Sequence, residues 1–217
     1  MQNGLMSIFN NDSPLGRFMT KVWIIVASNL MFILFSLPVF TIGAAWTAMS
    51  YVNLRCVRYN EINPIKDFWE SFLRCFKRST MIFIIYAALA LFLMLEIYAT
   101  GKAEGMIFFF RFPLCGILAV LFILAVHTFP VIAVFNDPVR DVIRNSIVFS
   151  VQNIGKTIIL FILYVIPAGL TYLFSDYAPL FAFIWFFFGF GLISFLTSKL
   201  LHSEFAPYIS DGDCKRE

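Results

Sequence analysis

Charge is scarce in this chain: Asp, Glu, Lys and Arg together make up 13% of its 217 residues, about half the share found in an ordinary soluble domain. A water-soluble globule of this size needs a charged shell, and this composition cannot supply one. Histidine occurs twice and cysteine four times. Cys56, Cys75, Cys115 and Cys214 stand singly, with no C-x-x-C pair and no histidine cluster of metal-binding spacing, so they read as small apolar filler rather than as a metal or redox centre. The net charge of +3 is too slight to gather a polyanion, which removes nucleic acid from the expected partners. There is no G-x-x-x-x-G-K-[ST] phosphate loop, no H-E-x-x-H zinc helix and no G-x-S-x-G nucleophile elbow. No catalytic residue, cofactor or metal ligand is therefore expected, and an enzyme is not the expected class.

What the chain has instead is hydrocarbon. Hydrophobic residues make up 60% of it, 28 of them phenylalanine, and they fall in runs too long for one small soluble core. The lipid bilayer is the expected solvent and first partner. Residues 1–20 are too polar to read as a cleavable leader, so insertion is expected through uncleaved helices.

Residues 22–54 carry no charge. One straight helix of that length would extend about 50 Å, against a hydrocarbon core of about 30 Å. Pro38 and Gly43 mark where this run breaks, since proline removes a backbone donor and glycine has little helix propensity. The reading is a hairpin of helices over residues 22–37 and 41–59. Further spans are expected over 79–100, 107–135, 157–175 and 177–200, the fourth of these six ending near a break at Pro130. The expected fold is all-α: one integral membrane domain over residues 1–217, a polytopic bundle of about six spans, with five as the alternative if residues 22–54 cross once. With six crossings, every Lys and Arg except Lys102 and Arg111 falls on one side. By the positive-inside rule that side is cytoplasmic and holds both chain termini.

Two amphipathic cytoplasmic helices are expected. In the first, Ile65, Phe68, Trp69, Phe72, Leu73 and Phe76 recur at helical spacing, with Arg74, Lys77 and Arg78 off that face. It should lie along the headgroups, and Phe68, Trp69, Phe72, Phe76, Arg74, Lys77 and Arg78 are candidates for contact with lipid or a docked partner. The second runs over residues 137–155, with Val139, Val142, Ile143, Ile147, Ser150 and Ile154 on one side and Asp137 as its cap. Each leads into a span reading Phe83-Ile84-Ile85-Tyr86 or Phe161-Ile162-Leu163-Tyr164, which hints at a weak duplication of residues 22–100 and 107–200.

Polar groups at membrane depth are the place to look for function. His127 stands just before Pro130, whose missing amide leaves a carbonyl for the ring. Glu96 stands near the end of its span, within reach of Lys102 or Arg111. Asn29 can bond another helix. Near the N-terminus, Asp12 and Ser13 can cap a helix whose first turn holds Pro14, followed by Arg17.

The segments Asp12-Ser13-Pro14-Leu15-Gly16-Arg17-Phe18, Leu37-Pro38-Val39-Phe40-Thr41-Ile42-Gly43-Ala44 and Phe68-Trp69-Glu70-Ser71-Phe72 resemble the YesL family of small bacterial integral membrane proteins, over roughly residues 8–90. That family is a domain of unknown function, often encoded beside carbohydrate-uptake ABC systems. The resemblance implies a multi-pass bacterial plasma-membrane protein and an accessory role beside a sugar importer, touching permease or ATPase subunits or a second copy of itself. It implies no catalytic residues. The competing expectation is a small independent transporter or channel whose broken helices meet at a solute path.

Overall fold

A computed structural model describes residues 14–59, 62–102, 105–135 and 137–205, and these contain helices and no strand. The expected caps Asp12 and Ser13 lie outside the described residues. In chain order the helices are α1 (Pro14–Phe35), α2 (Ile42–Arg58), α3 (Pro64–Gly101), α4 (Arg111–Val134), α5 (Val139–Gln152), α6 (Ile154–Leu173), α7 (Ala178–Ile184) and α8 (Phe190–Phe205). A π-helical turn, Trp185–Gly189, joins α7 to α8.

Helix α1 opens on Pro14, whose fixed φ suits a first turn, and Arg17 is exposed on it. It stops before Pro38, which disfavours helical geometry at the residue it follows. A 3-10 turn, Val39–Thr41, then reverses the chain. The Thr41 hydroxyl lies 2.6 Å from the carbonyl oxygens of both Phe35 and Pro38, within reach of the acceptor that the end of α1 leaves bare at Phe35. Leu37, Val39 and Phe40 point outward from this turn and are 54–74% exposed. An apolar turn with its carbonyls satisfied internally suits hydrocarbon better than water.

The hairpin packs through α2. Gly43, Ala44, Ala45 and Ala48 are buried, and side chains this small let helices approach closely. A Cβ on Gly43 would stand 2.4 Å from the Cβ of Phe83 and 2.7 Å from the Ser79 carbonyl, so α2 and α3 touch backbone to backbone there. One turn on, the Thr47 and Ser79 hydroxyls bond at 2.9 Å. Ile24, Phe32, Met49, Val52, Phe68 and Phe72 complete this core.

Five helical stretches are long and apolar enough to cross a membrane: Leu15–Phe35, Pro64–Gly101, Phe108–Val134, Ile154–Leu173 and Ser175–Phe205. The sixth expected crossing, α2, has 17 residues and is wrapped by its neighbours. Residues 22–54 do fold back on themselves, as the hairpin reading expects, and the returning helix is the short one.

Four local expectations are corrected. The first amphipathic helix is not a separate interfacial element. It is the opening of α3, which runs 38 residues without interruption because residues 65–100 contain neither proline nor glycine. Pro130 does not break its helix either, because α4 continues through it to Val134 with residues 126–133 all buried around it. In α5, the buried side is Val142, Ser146, Phe149 and Ser150, while Ile147 is exposed, as is Ile154 at the start of α6. Asp137 does not cap α5; its Oδ2 instead accepts from the Asn145 side chain at 3.1 Å.

Candidate functional site

Of the polar residues singled out at membrane depth, Asn29 and His127 are tied into the chain. Asn29, fully buried on α1, donates from Nδ2 to the carbonyls of Trp185 (3.2 Å) and Phe186 (2.5 Å) and accepts from the Gly191 amide (2.8 Å). A π turn sets its carbonyls off the normal i−4 ladder, and Asn29 fills the gap from another helix. Gly191 makes this possible, because a Cβ there would stand 2.5 Å from the Ile25 carbonyl. Asn53 of α2 similarly donates to Ser194 of α8 at 2.9 Å.

His127 is 1% exposed. Its Nδ1 lies 3.0 Å from the Ile123 carbonyl and its Nε2 3.5 Å from the Thr157 hydroxyl. The ring thus uses a carbonyl one turn back, not the one that Pro130 frees. Glu96 is half-buried, and the expected pairing with Lys102 or Arg111 is absent among the described residues. Those cations lie over aromatic rings: Lys102 is 4.2 Å from the centre of Tyr98, and Arg111 is 4.4 Å from that of Phe108.

The expected docking face separates in two. Phe68 and Phe72 are buried under α1, and Phe76 is partly buried on the same core. Trp69, though 46% exposed, packs its ring against Phe35 at 5.4 Å. Arg78 is a structural cap: it donates to the Asp137 carbonyl at 2.5 Å and reaches the Phe135 carbonyl at 3.4 Å, at the C-terminal end of α4. Arg74 stands 4.8 Å above the Tyr51 ring, and Lys77 is exposed. Replacing Arg78 by methionine should cost about 2 kcal/mol, the range for hydrogen bonds from a charged donor, read as a lower unfolding midpoint in detergent.

Sequence reasoning missed one cavity. A cleft of about 630 Å³ lies between α3, α4 and α6. Its floor is Trp46 of α2, stacked on Phe129 at 4.8 Å. Its walls include Phe83 and Tyr86 from α3 and Phe161 and Tyr164 from α6, so the two repeated Phe-Ile-x-Tyr quartets line one space. Each tyrosine hydroxyl is used by a threonine, Tyr86 with Thr128 at 3.0 Å and Tyr164 with Thr197 at 3.5 Å. The rest of the lining is alanine, aromatic and aliphatic, and Ala87, Met94, Cys115 and Val165 are exposed at its mouth. The quartets were the available signal. That they share a cavity depends on helix packing, which no local pattern encodes.

Among the described residues, no three His, Cys, Asp or Glu side chains gather as metal ligands would. Cys56 and Cys75 are each 1% exposed, whereas Cys115 is exposed at the cleft mouth. A lipid-soluble maleimide should therefore label Cys115 in the folded protein and reach Cys56 and Cys75 only on unfolding, as read by peptide mass spectrometry.

Residues 25–97 match the family model of a protein of unknown function, DUF624. No curated protein and no solved structure matches the chain. The matched stretch covers the second half of α1, all of α2 and nearly all of α3, so it contains the hairpin turn and one wall of the cleft. The chain is thus a membrane-type protein, all-helical over its described residues, of which residues 25–97 are similar to a family of unknown function, DUF624.

Proposed function

We propose that this protein is a non-catalytic subunit of the bacterial plasma membrane that works beside another membrane complex, with a carbohydrate ABC importer as the first candidate. One observation carries the reading: the polar side chains Asn29, Thr47, Asn53 and His127 are all engaged in bonds within the chain. They serve packing and do not line a solute path. The surface left over is apolar and aromatic, including Tyr172, Phe183 and Phe186 on the α6 to α8 half. Such a surface suits contact with lipid and with the spans of a partner.

The proposed orientation places both termini in the cytoplasm. In support, Arg55 pairs with Asp67 at 2.6 Å, Arg78 caps the end of α4, and Lys156 lies 3.4 Å from Glu204 near the end of α8. These cations belong to the ends of helices that the six-span reading assigns to one side, while Lys102 and Arg111 stand at the opposite end of α3 and α4.

Purification of tagged protein from its own host in mild detergent should recover permease or ATPase subunits of a sugar importer. Cysteines placed at Tyr172 or Phe183 should cross-link to them. Recovery of the protein alone, under conditions that keep importers intact, would overturn the reading.

An independent transporter is the second reading, favoured by the π turn at Trp185–Gly189, since irregular helices at membrane depth often mark ligand sites. Flux through reconstituted protein alone would favour it over the first.

A further inference from the structure

We propose that the cleft between α3, α4 and α6 holds one acyl chain of an anionic glycerophospholipid, whose phosphate sits at Arg111 and Lys102. The cleft has the size of a small-molecule site, about 630 Å³, and its lining offers no free polar group to a solute. It opens sideways, through exposed Ala87, Met94 and Cys115, from helices that are themselves membrane-crossing. In a bilayer the neighbours of that mouth are lipid chains. From Cys115 at the mouth to Phe129 at the floor is 14 residues of α4, about 21 Å at 1.5 Å per residue. That depth suits a flexible chain lying along the helix.

Charge decides the headgroup. Arg111 precedes Cys115 by one helical turn and so stands over the same face of α4. Lys102 closes α3 two turns beyond Met94, which also lines the cleft. Neither cation pairs with a carboxylate among the described residues; each is steadied on an aromatic ring, with its N–H donors left for a phosphate. All the other described cations belong to stretches that the six-span reading assigns to the far end. This proposal does not depend on the partner-subunit reading.

The test uses the full chain with Trp46 as its single tryptophan (Trp23→Phe, Trp69→Phe, Trp185→Phe), its fold checked by protection of Cys56 and Cys75. It is reconstituted into phosphatidylcholine vesicles containing either phosphatidylglycerol or phosphatidylcholine with brominated chains. Trp46 should be quenched, and half-maximal quenching should need roughly fivefold less brominated phosphatidylglycerol than brominated phosphatidylcholine, the preference expected from one cation near an anionic headgroup. Arg111→Glu should erase that preference. Ala119→Phe or Ala87→Phe, which fill the cleft, should abolish the quenching. Should either fail to fold, alkylation of Cys115 in the folded protein provides the same block. An unquenched Trp46 would overturn the proposal, as would equal quenching by both lipids or quenching unchanged by filling the cleft. Loss of quenching as protein density rises would show that a second copy's helix occupies the space, and would overturn it too.

Discussion

Gly43→Leu should leave little folded protein. At this position even a methyl group would stand 2.4 Å from the Phe83 Cβ and 2.7 Å from a backbone carbonyl, so α2 and α3 have to part. No side-chain rotation relieves the clash, because what lies in the way is main chain and a Cβ. Overpacking of this kind costs about 1–3 kcal/mol and sometimes more. Parting the helices also breaks the Thr47–Ser79 bond one turn away, worth about 0.6 kcal/mol on average in a membrane protein. Gly43→Ala should lower the unfolding midpoint clearly, and Gly43→Leu should expose Cys56 and Cys75 to thiol reagents at ordinary temperature. Gly116→Ala provides the contrast. Nothing lies within 4 Å of that position, so alanine there should stabilise α4 by up to about 1 kcal/mol through helix propensity alone. Equal behaviour of the two alanine variants would show that the close α2–α3 contact is not holding the fold.

Asn29→Leu is the second large effect. It removes two donated bonds and one accepted bond while keeping the branched shape of the side chain, and it strands two carbonyls and an amide between α1 and the π turn. Polar contacts in membranes average about 0.6 kcal/mol and reach about 1.7. Stranded buried groups raise the cost by about 1–3 kcal/mol. A total loss of about 2–4 kcal/mol is expected, since the π turn can relax only in part while Gly191 holds α8 against Ile25. Unfolding followed in detergent measures it. Asn29→Asp should be worse, because it replaces the donor facing two carbonyls by an acceptor. A neutral Asn29→Leu would mean that the π turn is satisfied without α1.

Both variants act where two distant segments meet, and this separates what could be read along the chain from what could not. The 33 uncharged residues 22–54 and the proline among them announce a membrane hairpin, because hydrocarbon thickness limits helix length and proline removes a donor. The residues around Phe68 announce an amphipathic helix, yet the pattern does not say which apolar side chains find protein and which find lipid. In water an apolar stripe faces the core. In a bilayer the outside is apolar too, so Phe68 and Phe72 are buried while Ile65 and Leu73 of the same stripe remain exposed.

The sequence by itself thus determined the solvent, the helical class and the places where the chain turns, since each follows from composition and local backbone chemistry. Tertiary structure alone decided that Asn29 clamps a π turn 157 residues away, that Arg78 caps α4, and that two tyrosines nearly 80 positions apart line one cleft. The physical reason is common to all three. Shape and hydrogen-bond partners at membrane depth come from neighbouring helices, and with lipid and protein equally apolar, no hydrophobic pattern specifies which helices those neighbours are.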